Sequence, residues 1–220
     1  QDRLWTHVID DFDIPRDWKI YRGFDWGYTK PFSVGWFAVD HSGRIYRFKE
    51  WYGCTKEANT GLQLTVQEVA AKIAEIERTD PALKGRKIIG IADPAIWGST
   101  TGESIAAMME DCGVFFNKGD HTRLAGLMQF HYRLAFDEYG MPMFYCFKSC
   151  RQFIRTIPLL IYDDKDVEDI DTSLEDHIYD ETRYVFMDHP LNPRKNIKRY
   201  TASDPLPPDD PLNIIRPVGR

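Results

Sequence analysis

"YRGFDWGYTKPFS", residues 21–33, is the stretch on which the fold turns. An apolar, aromatic run closes on a single acid, Asp25, and then on Gly27. A carboxylate at the end of a buried strand costs free energy unless something holds its charge. The stretch therefore reads as the first strand of a sheet, over 18–27, with a functional acid at its carboxyl end. Outward from it, "FSVGWFAV" (32–39) reads as a second strand, "DHSGR" (40–44) as a turn, and "IYRFKEWYG" (45–53) as a third strand. Short strands with a Gly-containing connection make an antiparallel meander. The aromatics Trp26, Tyr28, Phe32, Trp36 and Trp51 are expected in the core.

The period then changes. In "TVQEVAAKIAEIERT" (65–79), Val66, Val69, Ala70, Ile73 and Ile76 recur at helical spacing, and Thr65 with Glu68 forms a capping-box pair. "KIIGIADPAIW" (87–97) reads as a fourth strand ending near Asp93. "GESIAAMMEDCG" (102–113) reads as a short helix stopped by Gly113, and "VFFNKG" (114–119) as a fifth strand. A helix is expected over 122–137, a strand over 142–147, an interrupted helix over 149–163 and a last helix over 173–187. This order predicts an α/β chain with a mixed sheet, antiparallel meander plus parallel strands, flanked by helices. Residues 1–17 read as a leading segment, 18–187 as the domain, and 188–220 as a Pro-rich, partly basic arm.

Composition sets outer bounds. The chain has 220 residues, 43% of them apolar, enough for one domain with a sizeable core. It does not start with Met, and reads as part of a longer or processed chain. The first residues lack the layout of a signal peptide, and no apolar run is long enough for a transmembrane helix. The net charge of −6 argues against a domain whose main role is gripping duplex DNA, though not against an enzyme that meets DNA through cations and a few basic loops. The charge is segregated: acids concentrate in 163–181 and bases in 194–199. The four cysteines, Cys54, Cys112, Cys146 and Cys150, lack the spacing of a zinc site and read as reduced thiols. No G-x-G-x-x-G follows the first strand and no G-x-x-x-x-G-K-[ST] occurs, so nucleotide hydrolysis is not expected.

Three acids stand out by position. Asp25 ends the first strand and Asp93 ends the fourth, where open α/β sheets collect functional groups. Asp180 lies on the last helix, with Asp176 four residues before it and His177 three before it on neighbouring faces. A strand-ending Asp also serves as a turn or helix cap, and a helical Asp in an acidic run also serves as solvated surface. Adjacent carboxylates repel, and a divalent cation removes the conflict. Oxygen-only ligands suit Mg²⁺ or Mn²⁺.

The order "GFDWGYTKPF", a meander, "IADPA", then "EDIDTSLEDHIYDETRYVFM" (168–187) resembles the C-terminal nuclease domain of the large terminase subunit of tailed bacteriophages. The resemblance covers roughly 18–187. It implies a ribonuclease H-like fold and an endonuclease, dependent on two divalent cations, Mg²⁺ or Mn²⁺, that cuts concatemeric double-stranded DNA during genome packaging. By motif position the metal ligands would be Asp25, Asp93 and Asp180, with His177 as an auxiliary catalytic group; where part of the family has Glu in the middle motif, this chain has Asp93. The resemblance further implies an upstream ATPase domain, portal and small-terminase partners, no membrane, and the cytoplasm of an infected bacterial host. Candidate DNA contacts are Lys30, Lys118, His121, Arg123, Arg194, Lys195, Lys198 and Arg199. Nothing resembles a base-reading module, so little sequence specificity is expected. The alternatives are a resolvase- or transposase-type nuclease on the same fold, a non-catalytic DNA- or protein-binding module, and a phosphatase acting on small substrates.

Overall fold

The computed structural model describes residues 6–99, 102–160 and 174–192. Its strands are β1 (Val8–Ile9), β2 (Lys19–Asp25), β3 (Ser33–Val39), β4 (Ile45–Tyr52), β5 (Ile88–Ala92), β6 (Asn117–Lys118) and β7 (Phe144–Phe147). Its helices are α1 (Val66–Thr79), α2 (Ile105–Asp111), α3 (Arg123–Leu134), α4 (Arg151–Thr156) and α5 (His177–Asp188). The sheet order is β1-β7-β4-β3-β2-β5-β6. β2, β3 and β4 form the antiparallel meander, and β5 runs parallel to β2, with Phe24 opposite Ala92. β6 extends the sheet parallel to β5, and β7 parallel to β4. The two strands that lead into acids are therefore neighbours in the sheet, pointing the same way.

Alternation along β2 sends Arg22 to one face and Gly23 to the other. On the first face α1 buries Val66, Val69, Ala70 and Ile73. Its Glu77 carboxylate accepts from Arg22 at 2.6 Å and from the Trp36 indole at 2.9 Å. The Thr65–Glu68 capping box is present at its start. On the second face α5 lies directly on the sheet. A Cβ on Gly23 would sit 2.6 Å from Glu181 Oε1, and one on Gly35 only 2.2 Å from it. These two glycines make a notch that lets a charged side chain reach the sheet. Glu181 fills it fully buried, ion-paired at 2.8 Å with the equally buried Arg47 of β4 and accepting from Ser33 Oγ at 2.9 Å. α3 covers the outer side of α5 through Phe130, stacked on Tyr179 at 4.4 Å between ring centroids.

The structure departs from the sequence reading in particular places. Val8–Ile9, inside the leading segment, forms an edge strand with β7, too short to show a period. The expected helix from 149 stops at Thr156 and tightens into a 3₁₀ turn, Ile157–Leu159, because Pro158 cannot donate to an α-helical ladder. α5 starts at His177, not 173. The chain ahead of it is tied elsewhere: the Glu175 carboxylate is held by Arg155 and Tyr52, and the Leu174 carbonyl accepts from Asn59. Residues 161–163 and 173 of the expected helices lie outside the described residues. Among the expected core aromatics, Phe32 and Trp36 are buried and Trp26 and Trp51 half-buried, but Tyr28 is exposed at the tip of the loop after β2. All four cysteines are free thiols. No described helix is long and apolar enough to cross a membrane.

Candidate metal centre

Asp25 ends β2 almost fully buried, directly opposite Ser33 in the β2–β3 register. Its Oδ2 lies 2.9 Å from His177 Nδ1, so the first turn of α5 is held to the end of β2. Asp93 follows β5. Its backbone N–H donates to the Phe24 carbonyl at 3.3 Å, and its Oδ1 accepts from Ala95 N–H at 2.8 Å, capping a 3₁₀ turn over Pro94–Trp97. The capping role anticipated for an Asp-Pro pair is thus real, and it fixes the carboxylate beside Asp25. Asp180, one turn along α5 from Asp176, accepts from both Nε and an Nη of Arg183 at 3.0 and 2.8 Å. Arg183 is itself buried, packs on Gly126 of α3 and donates to the His121 carbonyl at 2.8 Å.

Electrostatics ties these groups into one site. Burial pushes the Asp25 carboxyl up to about 7; the His177 hydrogen bond opposes this, while the charges of Asp180 and Asp93 add to it. Burial and the charge of Asp180 push Asp176 up to about 6. His177 is pulled down by burial, but its hydrogen bond and attraction to Asp25 outweigh that and raise it overall. The hydrogen bond between Asp25 and His177 favours the carboxylate and the imidazolium together. The Tyr184 hydroxyl is raised by burial and then by the charges of Asp180, Asp25 and Asp93 together.

Among the described residues no three His, Cys, Asp or Glu side chains form a ready-made coordination cluster. Asp25 is engaged with His177, Asp93 with the 3₁₀ turn and Asp180 with Arg183. The donor set nevertheless fits a hard divalent cation: carboxylate oxygens from two strand ends and a helix, one of them raised to about 7 by surroundings that a cation would offset. A cavity of 740 Å³ between residues 11–16, β4 and residues 80–82 is lined by none of these acids, so its size does not make it a competitor on chemical grounds.

The expected DNA contacts divide. Lys30 is exposed in the loop after Asp25. Lys118 pairs with Ala92, next to Asp93, and its ammonium sits 5.6 Å from the centroid of the Trp97 ring. His121 and Arg123 are exposed at the start of α3, where Arg183 ties the backbone to Asp180, and the charge of Arg123 acts on Asp176. These four flank the acids. Arg194, Lys195, Lys198 and Arg199 lie outside the described residues. Sequence reasoning missed Glu181, Arg47 and Asn59, which bond on or to α5 and His177 without carrying a local pattern.

No family model and no curated protein sequence matches the chain. Solved structures do match. The large terminase from a thermophilic bacteriophage, in complex with ADP, superposes with a TM-score of 0.63 at 22% identity, over 82% of this chain and 41% of that one. This chain therefore spans about two fifths of that protein's length. The P22 large terminase nuclease domain gives a TM-score of 0.62 at 15% identity, over 82% of this chain and 86% of that one. The large terminase nuclease from thermophilic phage G20c, with bound cobalt, gives 0.53 at 11% identity, over 81% and 85%. The mixed seven-stranded sheet with its flanking helices is thus the ribonuclease H-like fold of the phage large-terminase nuclease domains.

Proposed function

We propose that this chain is the nuclease part of a phage large terminase, an endonuclease that uses two divalent cations, Mg²⁺ or Mn²⁺, to cut concatemeric double-stranded DNA during genome packaging. The observation that carries the reading is that Asp25, Asp93 and Asp180 come from two adjacent strand ends and α5, and that the charges of Asp180 and Asp93 add to the burial that raises Asp25 to about 7. The likeness to terminase nucleases, one of them solved with bound cobalt, supports it.

Asp25, at the end of β2, would be shared by the ions, with Asp93 and Asp180 as the further carboxylates that would hold them. Bound there, the ions supply Lewis acidity at the scissile phosphate. Arg183 keeps Asp180 turned toward the site and neutralises part of its charge. His177, hydrogen-bonded to Asp25, holds or passes a proton at Nδ1. Lys30, Lys118, His121 and Arg123 meet backbone phosphates, which implies salt-sensitive binding with little base preference. Arg194, Lys195, Lys198 and Arg199 serve as further phosphate contacts. The chain acts as one part of a longer protein with an upstream ATPase domain, alongside portal and small terminase subunit, in the cytoplasm of the infected bacterial host.

The test is cleavage of supercoiled plasmid in Mn²⁺, Mg²⁺ or EDTA, with Asp25→Ala beside the wild type. Nicking and linearisation that need the metal and vanish in the variant are expected. Cleavage that persists in EDTA, or in Asp25→Ala, refutes the assignment.

A further inference from the structure

The loop between β4 and α1 reaches His177 through the Asn59 side chain. Asn59 sits there with φ 55°, in the left-handed region that Asn tolerates better than most residues. The loop is fastened by Thr55 N–H to the Thr60 carbonyl at 2.8 Å and Gly61 N–H to the Thr29 carbonyl at 2.9 Å. The Asn59 amide nitrogen donates to the Leu174 carbonyl at 3.4 Å, and its Oδ1 lies 3.3 Å from His177 Nε2. The neighbours dictate this orientation. A carbonyl only accepts, so the NH₂ group faces Leu174; Oδ1 also only accepts, so Nε2 must carry the hydrogen. The other ring nitrogen, Nδ1, is thereby turned to Asp25 Oδ2 at 2.9 Å.

We propose that Asn59 is a positioning residue that holds the His177 ring with Nε2–H bonded to its amide oxygen and Nδ1 aimed at Asp25. The inference rests on the reading of Asp25 and His177 as parts of the nuclease site. Without Asn59 nothing else described bonds Nε2, and only the bond at Nδ1 to Asp25 is left to orient the ring. Partners of this kind, one bond removed from the metal ligands, change activity by about 10- to 100-fold when lost.

The experiment compares wild type, Asn59→Gly and Asn59→Asp. Glycine accepts the left-handed backbone and removes only the side chain; aspartate keeps an acceptor for Nε2–H. The first readout is the His177 Hε2 resonance in the metal-free protein at pH 7. A slowly exchanging signal is expected in wild type and in Asn59→Asp, and its loss in Asn59→Gly. The second is plasmid cleavage in Mn²⁺: kcat about 10-fold lower in Asn59→Gly with KM within about 2-fold, restored in Asn59→Asp. A protected Hε2 in Asn59→Gly overturns the proposal, as does failure of Asn59→Asp to restore it. A chain that cuts no DNA in any metal refutes the nuclease reading alone, because the Hε2 comparison needs neither metal nor DNA and still decides for or against Asn59.

Discussion

Arg47→Met removes one partner of the buried ion pair that seats α5. Arg47 and Glu181 are both fully buried, joined at 2.8 and 3.0 Å, and the guanidinium also donates to Thr182 Oγ1 at 3.1 Å. Methionine replaces much of the volume but leaves the Glu181 carboxylate with Ser33 as its one side-chain donor among the described residues, and it also removes the 3.4 Å pair of Arg47 with Glu50. Breaking a buried pair from one side costs about 3–5 kcal/mol, because an uncompensated charge remains. For a chain of this size that is about 6–20 °C in Tm. The double variant Arg47→Met/Glu181→Leu removes the stranded charge along with its partner. It is expected to recover at least about 2 kcal/mol of the loss, since hydrophobic replacements of whole buried pairs are often neutral. The assay is urea unfolding of the metal-free chain, followed by tryptophan fluorescence. pH gives a second signature. Burial raises Glu181 above its ordinary 4.5, and Arg47 opposes that shift. In Arg47→Met the folded value rises further, so the penalty is full above that value and disappears as pH falls toward 4.5. The deficit against wild type must therefore be larger at pH 8 than at pH 5. A deficit under about 1 kcal/mol, or one that grows toward pH 5, or a double variant no more stable than the single, refutes the argument.

Two other expectations concern the same face of the sheet. Asp25 has a folded value of about 7 against 3.8 unfolded, so its contribution to stability falls as pH rises through that window and is flat above it. In EDTA the Tm is expected to drop between pH 4 and 7 from this group, and Mn²⁺ to raise Tm more at pH 8 than at pH 5.5; equal metal stabilisation at both pH values, measured by scanning calorimetry, counts against a metal at Asp25. Gly35→Ala puts a Cβ 2.2 Å from Glu181 Oε1 and 2.4 Å from an Arg47 Nη, in an ion pair with no room to shift. A loss of about 1–3 kcal/mol in urea unfolding is expected, and a neutral effect would mean that the notch is looser than drawn.

What was legible in the sequence was local. Alternation and turn chemistry marked β2–β4, and the Thr65–Glu68 pair marked the start of α1, because each signal lies within a few residues of its effect. Asp25 and Asp93 were conspicuous because an apolar run closing on one acid is costly in a core. Boundaries slipped where distant contacts override local preference, as at Glu175, which Arg155 and Tyr52 pull out of the helix that its spacing suggests. Arg47 and Glu181 are 134 residues apart, and nothing in "RIYRFKEWY" distinguishes a buried arginine from a solvated one. Asn59 is similarly silent, since its φ and its two partners come from the closed loop rather than from "EANTG".

The ion pair and the acids are consequences of one helix register. Successive residues on a helix point about 100° apart, so a side chain directed at the sheet fixes where its neighbour points. Glu181 enters the notch over Gly23 and Gly35, and Asp180 is thereby turned out of the sheet contact, where Arg183 holds it. His177, one turn earlier, falls on Asp25 at the end of the strand that carries Gly23. A slip of one residue would move α5 by about 1.5 Å along its axis and take Glu181 off Arg47, bringing to the notch either Thr182, which has no carboxylate, or Asp180, whose side chain is one carbon shorter. The buried pair is therefore better understood as the feature that selects one register than as a source of net stability, because an apolar pair of the same volume would fill the space but would accept more than one helix position.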